Sequence, residues 1–252
     1  MQGSQPVGHM GCCMRILVFQ HVDVEHPGIF RDFWAEQGHE WVPVELDAGE
    51  PIPDFDGFDL LAVFGGPMDV WQEEVHPWLV PEKAAIRRWV SELGRPYLGI
   101  CLGHQLLGGA LGGTVGLMGR PEVGLASVEL TATGRNDPVF AGLGPTVECL
   151  QWHGAEIARL PEGAEILASN AACVTQAIRW GRHAYGFQYH LEAMETTVAD
   201  WAAIPEYKQS LERVMGSGAA ATLEASMAPR LVDFRQAAKR LNDNLMAIVA
   251  AS

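Results

Sequence analysis

Four short, nearly continuous apolar runs constrain this chain more than any other feature. They are Arg15–Gln20 and Tyr97–Ile100, together with residues 41–46 and 59–64. Each is too short for a helix and too uniformly apolar for a strand with one wet face. Such runs read as strands buried on both faces, which is a property of parallel sheets covered by helices. The segments between them carry helical periodicity. Ile29, Phe30, Phe33 and Trp34 recur at helix spacing before a stop at Gly38. Ala84, Ala85, Ile86, Trp89, Val90 and Leu93 mark a second helix, opening at Pro81 and ending at Gly94. The order strand, helix, strand, strand, helix, strand predicts an α/β fold.

Later segments read differently. Val and Thr enrichment over 114–133 and 146–151 predicts shorter strands. Residues 164–168 and 174–180 read as an antiparallel pair around Asn170, and 185–190 as the last strand of the sheet. After Glu192 the composition shifts to Ala, Met, Leu and Glu, with a break at Gly216-Ser217-Gly218. Two or three helices are expected there, the last over 222–250 with an apolar stripe of Phe234, Ala238, Leu241, Leu245 and Ile248. That stripe either packs on the domain or serves a homodimer or another partner. The expected fold is thus a three-layer, mostly parallel, flavodoxin-like sheet with helices on both faces, a small antiparallel extension and C-terminal helices. Residues 1–13 read as a tag-like leader, 14–195 as the domain, and 196–252 as a helical extension packed on it.

Bulk properties exclude several function classes. Seventeen Lys and Arg against 31 Asp and Glu leave a net charge of −14, which disfavours a nucleic-acid partner. No run approaches the ~18 apolar residues of a membrane span. The five cysteines, Cys12, Cys13, Cys101, Cys149 and Cys173, contain no Cys-x-x-Cys pair, so neither zinc nor a disulfide framework is expected. These features fit a cytoplasmic protein without a metal or cofactor.

The chemistry concentrates where the fourth apolar run stops. Cys101 follows Ile100, and a helix begins within a few residues. A thiol at a strand-to-helix junction sits on a sharp turn near a helix N-terminus, whose partial positive charge favours thiolate. Gly99 and Gly103 let the backbone take that turn. This is the logic of the nucleophile elbow with Cys in place of Ser; the alternative is a buried structural Cys. Some ninety positions on, His190 and Glu192 stand two apart, on one face if strand geometry continues. A carboxylate beside an imidazole can hold one tautomer and leave the other nitrogen to take a proton; the alternative is a solvated pair. Loop 21–28 holds two His and two acids. It reads as a polar loop at the carboxyl edge of the sheet, where ligands bind, rather than as a metal site. No Lys-Ser/Thr follows Gly65-Gly66-Pro67, which disfavours a phosphate loop.

Three motifs in order carry a family resemblance: Phe-Gly-Gly-Pro at 64–67, Gly-Ile-Cys-Leu-Gly-His-Gln at 99–105 and Gly-Phe-Gln-Tyr-His-Leu-Glu at 186–192. Together they resemble the class I glutamine amidotransferase family over residues 14–195, especially stand-alone proteins similar to the glutaminase domain of GMP synthase. The resemblance implies hydrolysis of the glutamine side-chain amide through a thioester. Cys101 would be the nucleophile, His190 the base and Glu192 its orienting carboxylate. Backbone N–H groups of Gly66 and Leu102 would form the oxyanion hole, and Gly65, Gln105, Trp152, His153 and Gly154 would bind substrate. His153 reads as an ordinary polar group beneath the cleft rather than as a catalytic one. Two departures stand out: Leu191 where the family often has Pro, and Trp152 where it often has Ser. No acceptor domain is recognisable after 195. Three readings follow. One is a glutaminase that passes ammonia to a separate synthase subunit. The others are a stand-alone hydrolase of γ-glutamyl compounds and a non-catalytic binding module.

Overall fold

The computed structural model describes residues 13–252; residues 1–12 of the expected leader, Cys12 among them, lie outside the described residues. The five core strands are β1 (Arg15–Gln20), β2 (Glu40–Glu45), β3 (Leu60–Val63), β4 (Tyr97–Ile100) and β9 (Ala184–Phe187). They run parallel in the order β2-β1-β3-β4-β9. The chain leaves β1 towards β2 and returns on the other side as β3. This is the strand-order reversal at which open α/β sheets form a crevice at their carboxyl ends.

Alternate residues of these strands feed two cores. Ile16 and Val18 join Phe30, Phe33 and Trp34 of α1 (Phe30–Glu36), whereas Leu17 and Phe19 join Leu79 and Ile86 of α2 (Leu79–Arg87) and Leu106 and Leu107 of α3 (Leu102–Ala110). Both sheet faces are therefore dry, as the continuous apolar runs require.

Beyond β9 the sheet continues antiparallel through β8 (Ala177–Trp180), β7 (Ala164–Ser169), β5 (Thr114–Leu130) and β6 (Thr146–Arg159). The last two are long, at 17 and 14 residues, where short strands were expected. Gly119 and Pro121 fall in a register irregularity between Leu117 and Glu122, while Gly116 and Gly124 pair with Glu156 and Gln151, so none of them ends the pairing. The final core strand also stops earlier than expected. His190 lies past it, held by a two-way backbone bridge to Leu150 (2.9 and 3.2 Å).

The connection between the two long strands holds two short helical turns, the first of which is α4 (Ala132–Asn136), capped by the Thr131 hydroxyl. The C-terminal region forms four helices rather than two or three: α5 (Thr197–Ala202), α6 (Pro205–Met215), α7 (Ala219–Met227) and α8 (Leu231–Ala250). The single run expected over 222–250 is broken by a 3₁₀ turn at Ala228–Arg230. Pro229 sits in that turn, where it lacks the N–H an α-helix interior would use. Ala238, Leu241 and Leu245 of α8 pack on the sheet beside α1, and Trp34 Nε1 donates to Asn242 Oδ1 at 3.0 Å. The stripe that could have served a partner is thus consumed within the chain. Val198, Trp201, Tyr207, Leu211, Leu223, Met227 and Phe234 form a third core around Leu150 and Trp152 of β6. Among the described residues no helix is long and apolar enough to cross a membrane.

Candidate active site

Cys101 joins β4 to α3 with φ 51°, ψ −105°, and is the sole non-glycine with positive φ among the described residues. A side chain in that conformation is strained by about 1–3 kcal/mol, and such strain persists only where the surroundings enforce it. Here they do. A Cβ on Gly103 would lie 2.1 Å from the Val63 carbonyl oxygen, and one on Gly99 2.6 Å from the Gly103 backbone. The first turn of α3 is therefore pressed against β3 and β4, and both glycines are steric necessities. The Cys101 N–H is fixed by the Phe187 carbonyl at 2.8 Å.

Cys101 opens onto a cavity of about 440 Å³ whose lining includes Gly66, Leu102, Gln105, Trp152, His153 and Gly154. Neither the Gly66 nor the Leu102 amide donates to an acceptor among the described residues. Gly65 stands behind this wall, with its carbonyl accepting from His21 Nδ1 at 2.8 Å. Gln105 is buried with both amide hydrogens engaged, donating to the Ala155 carbonyl (3.1 Å) and to Gln188 Oε1 (3.0 Å). Both ring nitrogens of His153 also have partners: the Ala155 carbonyl at 3.0 Å and Glu122 Oε2 at 3.2 Å. Glu122 further accepts from Asn170 and Gln176. Trp152 presents its carbonyl 3.9 Å from Cys101 Sγ, while its indole donates to Ser210 on α6 at 2.9 Å.

His190 and Glu192 lie behind Cys101, fully or nearly buried. His190 Nδ1 donates to Glu192 Oε1 at 2.6 Å, so the ring is held in one orientation with Nε2 free of any hydrogen bond. Burial alone would lower the His190 pKa. Glu192 foremost, and then Cys101, outweigh it and hold it well above the usual histidine value. Trp201 of α5 closes over the imidazole edge-to-face, with ring centroids 4.6 Å apart. Glu192 is anchored by its carbonyl, which accepts from Ile29 N–H at 3.0 Å. Gly28, at φ 53°, lies so close that a Cβ would sit 2.1 Å from that same oxygen.

Comparison with known proteins gives the family of the chain that carries this arrangement. The family described as glutamine amidotransferase class-I matches residues 35–200. This chain belongs to the class I glutamine amidotransferases. A glutamine amidotransferase-like protein of Salmonella typhimurium is 31% identical over 189 residues, covering 71% of this chain and 76% of its own. One of the subunits of the glutamine-hydrolyzing GMP synthase of Sulfolobus acidocaldarius is 32% identical over 154 residues, covering 61% and 77%. A crystal structure of a glutamine amidotransferase from Thermotoga maritima superposes with TM-score 0.82 at 25% identity, over 92% of this chain and 98% of that one.

Sequence reasoning missed several contributors to this amidotransferase site. Gln188 stood inside a quoted motif without a role, yet its amide reaches Cys101 Sγ at 3.7 Å. The α6 wall was also missed. Glu206, Tyr207, Gln209, Ser210 and Arg213 line the cavity from one helix face. The i, i+3, i+4, i+7 spacing of Glu206, Gln209, Ser210 and Arg213 was legible, but nothing in it said what the face covers. Loop 21–28, read as a polar loop at the carboxyl edge of the sheet, supplies none of the cavity lining and ties α5 and α6 to that edge. Trp201 donates to the Val24 carbonyl, and the Tyr207 hydroxyl bonds the buried Glu25 carboxyl. Burial lifts the Glu25 pKa from 4.5 to about 7, offset in part by His190 and the Tyr207 bond.

Proposed function

We propose that this amidotransferase hydrolyses the side-chain amide of glutamine, with Cys101, His190 and Glu192 as its catalytic set. The observation that carries the reading is the strained Cys101 facing the cavity, backed by a His190 whose Nδ1 is committed to Glu192 and whose Nε2 is free. The thiol proton passes to His190 Nε2, and Sγ bonds to the carboxamide carbon. The carbonyl oxygen takes the negative charge and is met by the unpaired N–H groups of Gly66 and Leu102, such donors contributing about 3–4 kcal/mol each. The adduct collapses as His190 returns its proton to the amide nitrogen. The C–N bond breaks, ammonia leaves and a thioester remains. Water then gives a proton to His190, its oxygen attacks the thioester carbon, and the C–S bond breaks with the proton restored to sulfur. Glutamate departs.

The likeness to one component of the Sulfolobus acidocaldarius GMP synthase supports delivery of the ammonia to a separate synthase subunit. The α6 wall, with Glu206 and Arg213 exposed along the cavity, favours a second reading in which the substrate is a larger γ-glutamyl compound. Steady-state release of glutamate and ammonia from glutamine, beside a panel of γ-glutamyl peptides, separates the two. Cys101→Ala is expected to abolish turnover of whichever substrate is used while leaving the fold and substrate binding intact. Undiminished turnover in that variant would refute the assignment.

A further inference from the structure

Behind the Gly65-Gly66 loop lies an ion pair that the reaction itself does not use. His21 follows β1 directly, and Glu82 sits in the first turn of α2; both are fully buried. His21 Nε2 meets Glu82 Oε1 at 2.9 Å, and its Nδ1 meets the Gly65 carbonyl at 2.8 Å. The carbonyl can only accept, so Nδ1 carries a hydrogen. The imidazole is further stacked on Trp78, with centroids 5.3 Å apart and planes 18° from parallel. A buried ion pair is weak support for stability, because desolvating two charges offsets most of their attraction and an apolar pair often does better. Its location points to what it does instead.

The Gly65 C=O and the Gly66 N–H belong to one peptide plane. No cis bond occurs among the described residues, and in a trans peptide these two groups point to opposite sides. Holding the Gly65 oxygen on buried His21 therefore turns the Gly66 N–H the other way. Gly66 is the member of this pair that lines the cavity with Cys101. A glycine pair is the sequence most easily flipped about such a plane, so an external hold is what decides its orientation.

We infer that His21, itself held by Glu82, is a positioning residue that locks the Gly65–Gly66 peptide with its N–H towards Cys101. The oxyanion donor is then preset in the isolated chain and needs no partner protein to turn it. This rests on the glutamine-hydrolysis reading above.

The test compares wild type with His21→Asn, which keeps a donor near the Nδ1 position, and the double variant His21→Phe/Glu82→Leu. The double variant removes the donor without leaving a buried unpaired carboxylate. Three quantities are measured on the isolated full chain. They are kcat and KM for the substrate found active, the Kd of the γ-aldehyde analogue of glutamate, whose hemithioacetal needs the oxyanion donor, and the rate of Cys101 alkylation by iodoacetamide, which needs none. Wild type is expected to turn over substrate unaided. The double variant should lose on the order of 10²–10³-fold in kcat, with KM little changed, the aldehyde weakened in parallel, and alkylation within about threefold of wild type. His21→Asn should recover most of the loss.

A double variant with wild-type kcat and aldehyde affinity overturns the lock. So does one whose alkylation falls along with kcat, since that is general distortion of the site. A wild type whose Cys101 is alkylated but which binds the aldehyde and turns over substrate only when a synthase is added overturns the preset donor and leaves the hydrolysis reading standing. Neither aldehyde binding nor turnover, with a synthase or without, overturns both.

Discussion

Gly103 offers the sharpest test of how the elbow is built. In Gly103→Ala the new Cβ would fall 2.1 Å from the Val63 oxygen, against the 3.0 Å below which real contacts essentially do not occur. The obstacle is backbone, so α3 and β3 must part by about 0.9 Å. The same shift stretches the Gly103 N–H bond to the Phe64 carbonyl, now 3.2 Å, immediately before Gly65. Overpacking of this kind costs about 3 kcal/mol, or roughly 6–12 °C in Tm for a chain of this size. Because Cys101 and the Gly66 amide are carried by the two parting elements, kcat should fall as well, on the order of 10²-fold for a ~1 Å misplacement. Gly109 in the same helix is the control. A Cβ there meets only Val115 Cγ2 at 3.9 Å, an ordinary contact. Gly109→Ala should therefore raise stability by about 0.5 kcal/mol through helix propensity and leave turnover alone. Thermal unfolding and steady-state kinetics of the two variants decide the matter. Equal Tm values, with full activity in Gly103→Ala, would refute the packing argument.

Glu192→Gln removes the foremost group raising the His190 pKa. It should cut kcat by about 10²–10⁴-fold and move the limb of kcat/KM that reports His190 to lower pH; an unmoved limb would contradict the role of Glu192. Glu25→Gln tests the buried carboxyl beneath the site. A carboxyl raised from 4.5 to about 7 on folding destabilises the native state progressively as pH rises between those values, by about 3 kcal/mol above pH 7. The Gln variant lacks this burden, so in urea unfolding its stability relative to wild type should be greater at pH 8 than at pH 5. An equal difference at both pH values would show that folding does not raise the Glu25 pKa.

What the sequence determined by itself was local. Continuous apolar runs specified strands dry on both faces, and with them four of the five strands of the parallel core. A thiol at a strand end flanked by Gly99 and Gly103 marked the elbow, because tight turns and close helix approach leave few residue choices. His190 and Glu192, two apart, were legible as a pair, although the strand meant to align them ends at Phe187 and a bridge to Leu150 holds them instead. Tertiary structure alone decided the rest. His21 meets Gly65 across 44 positions and Glu82 across 61, and Tyr207 meets Glu25 across 182. An apolar stripe such as that of α8 states that a face will be buried but not against what, since hydrophobic burial is non-directional, and the polar face of α6 states even less about what it covers. Only the assembled chain puts α6 over the cavity and a buried ion pair behind the peptide that faces Cys101.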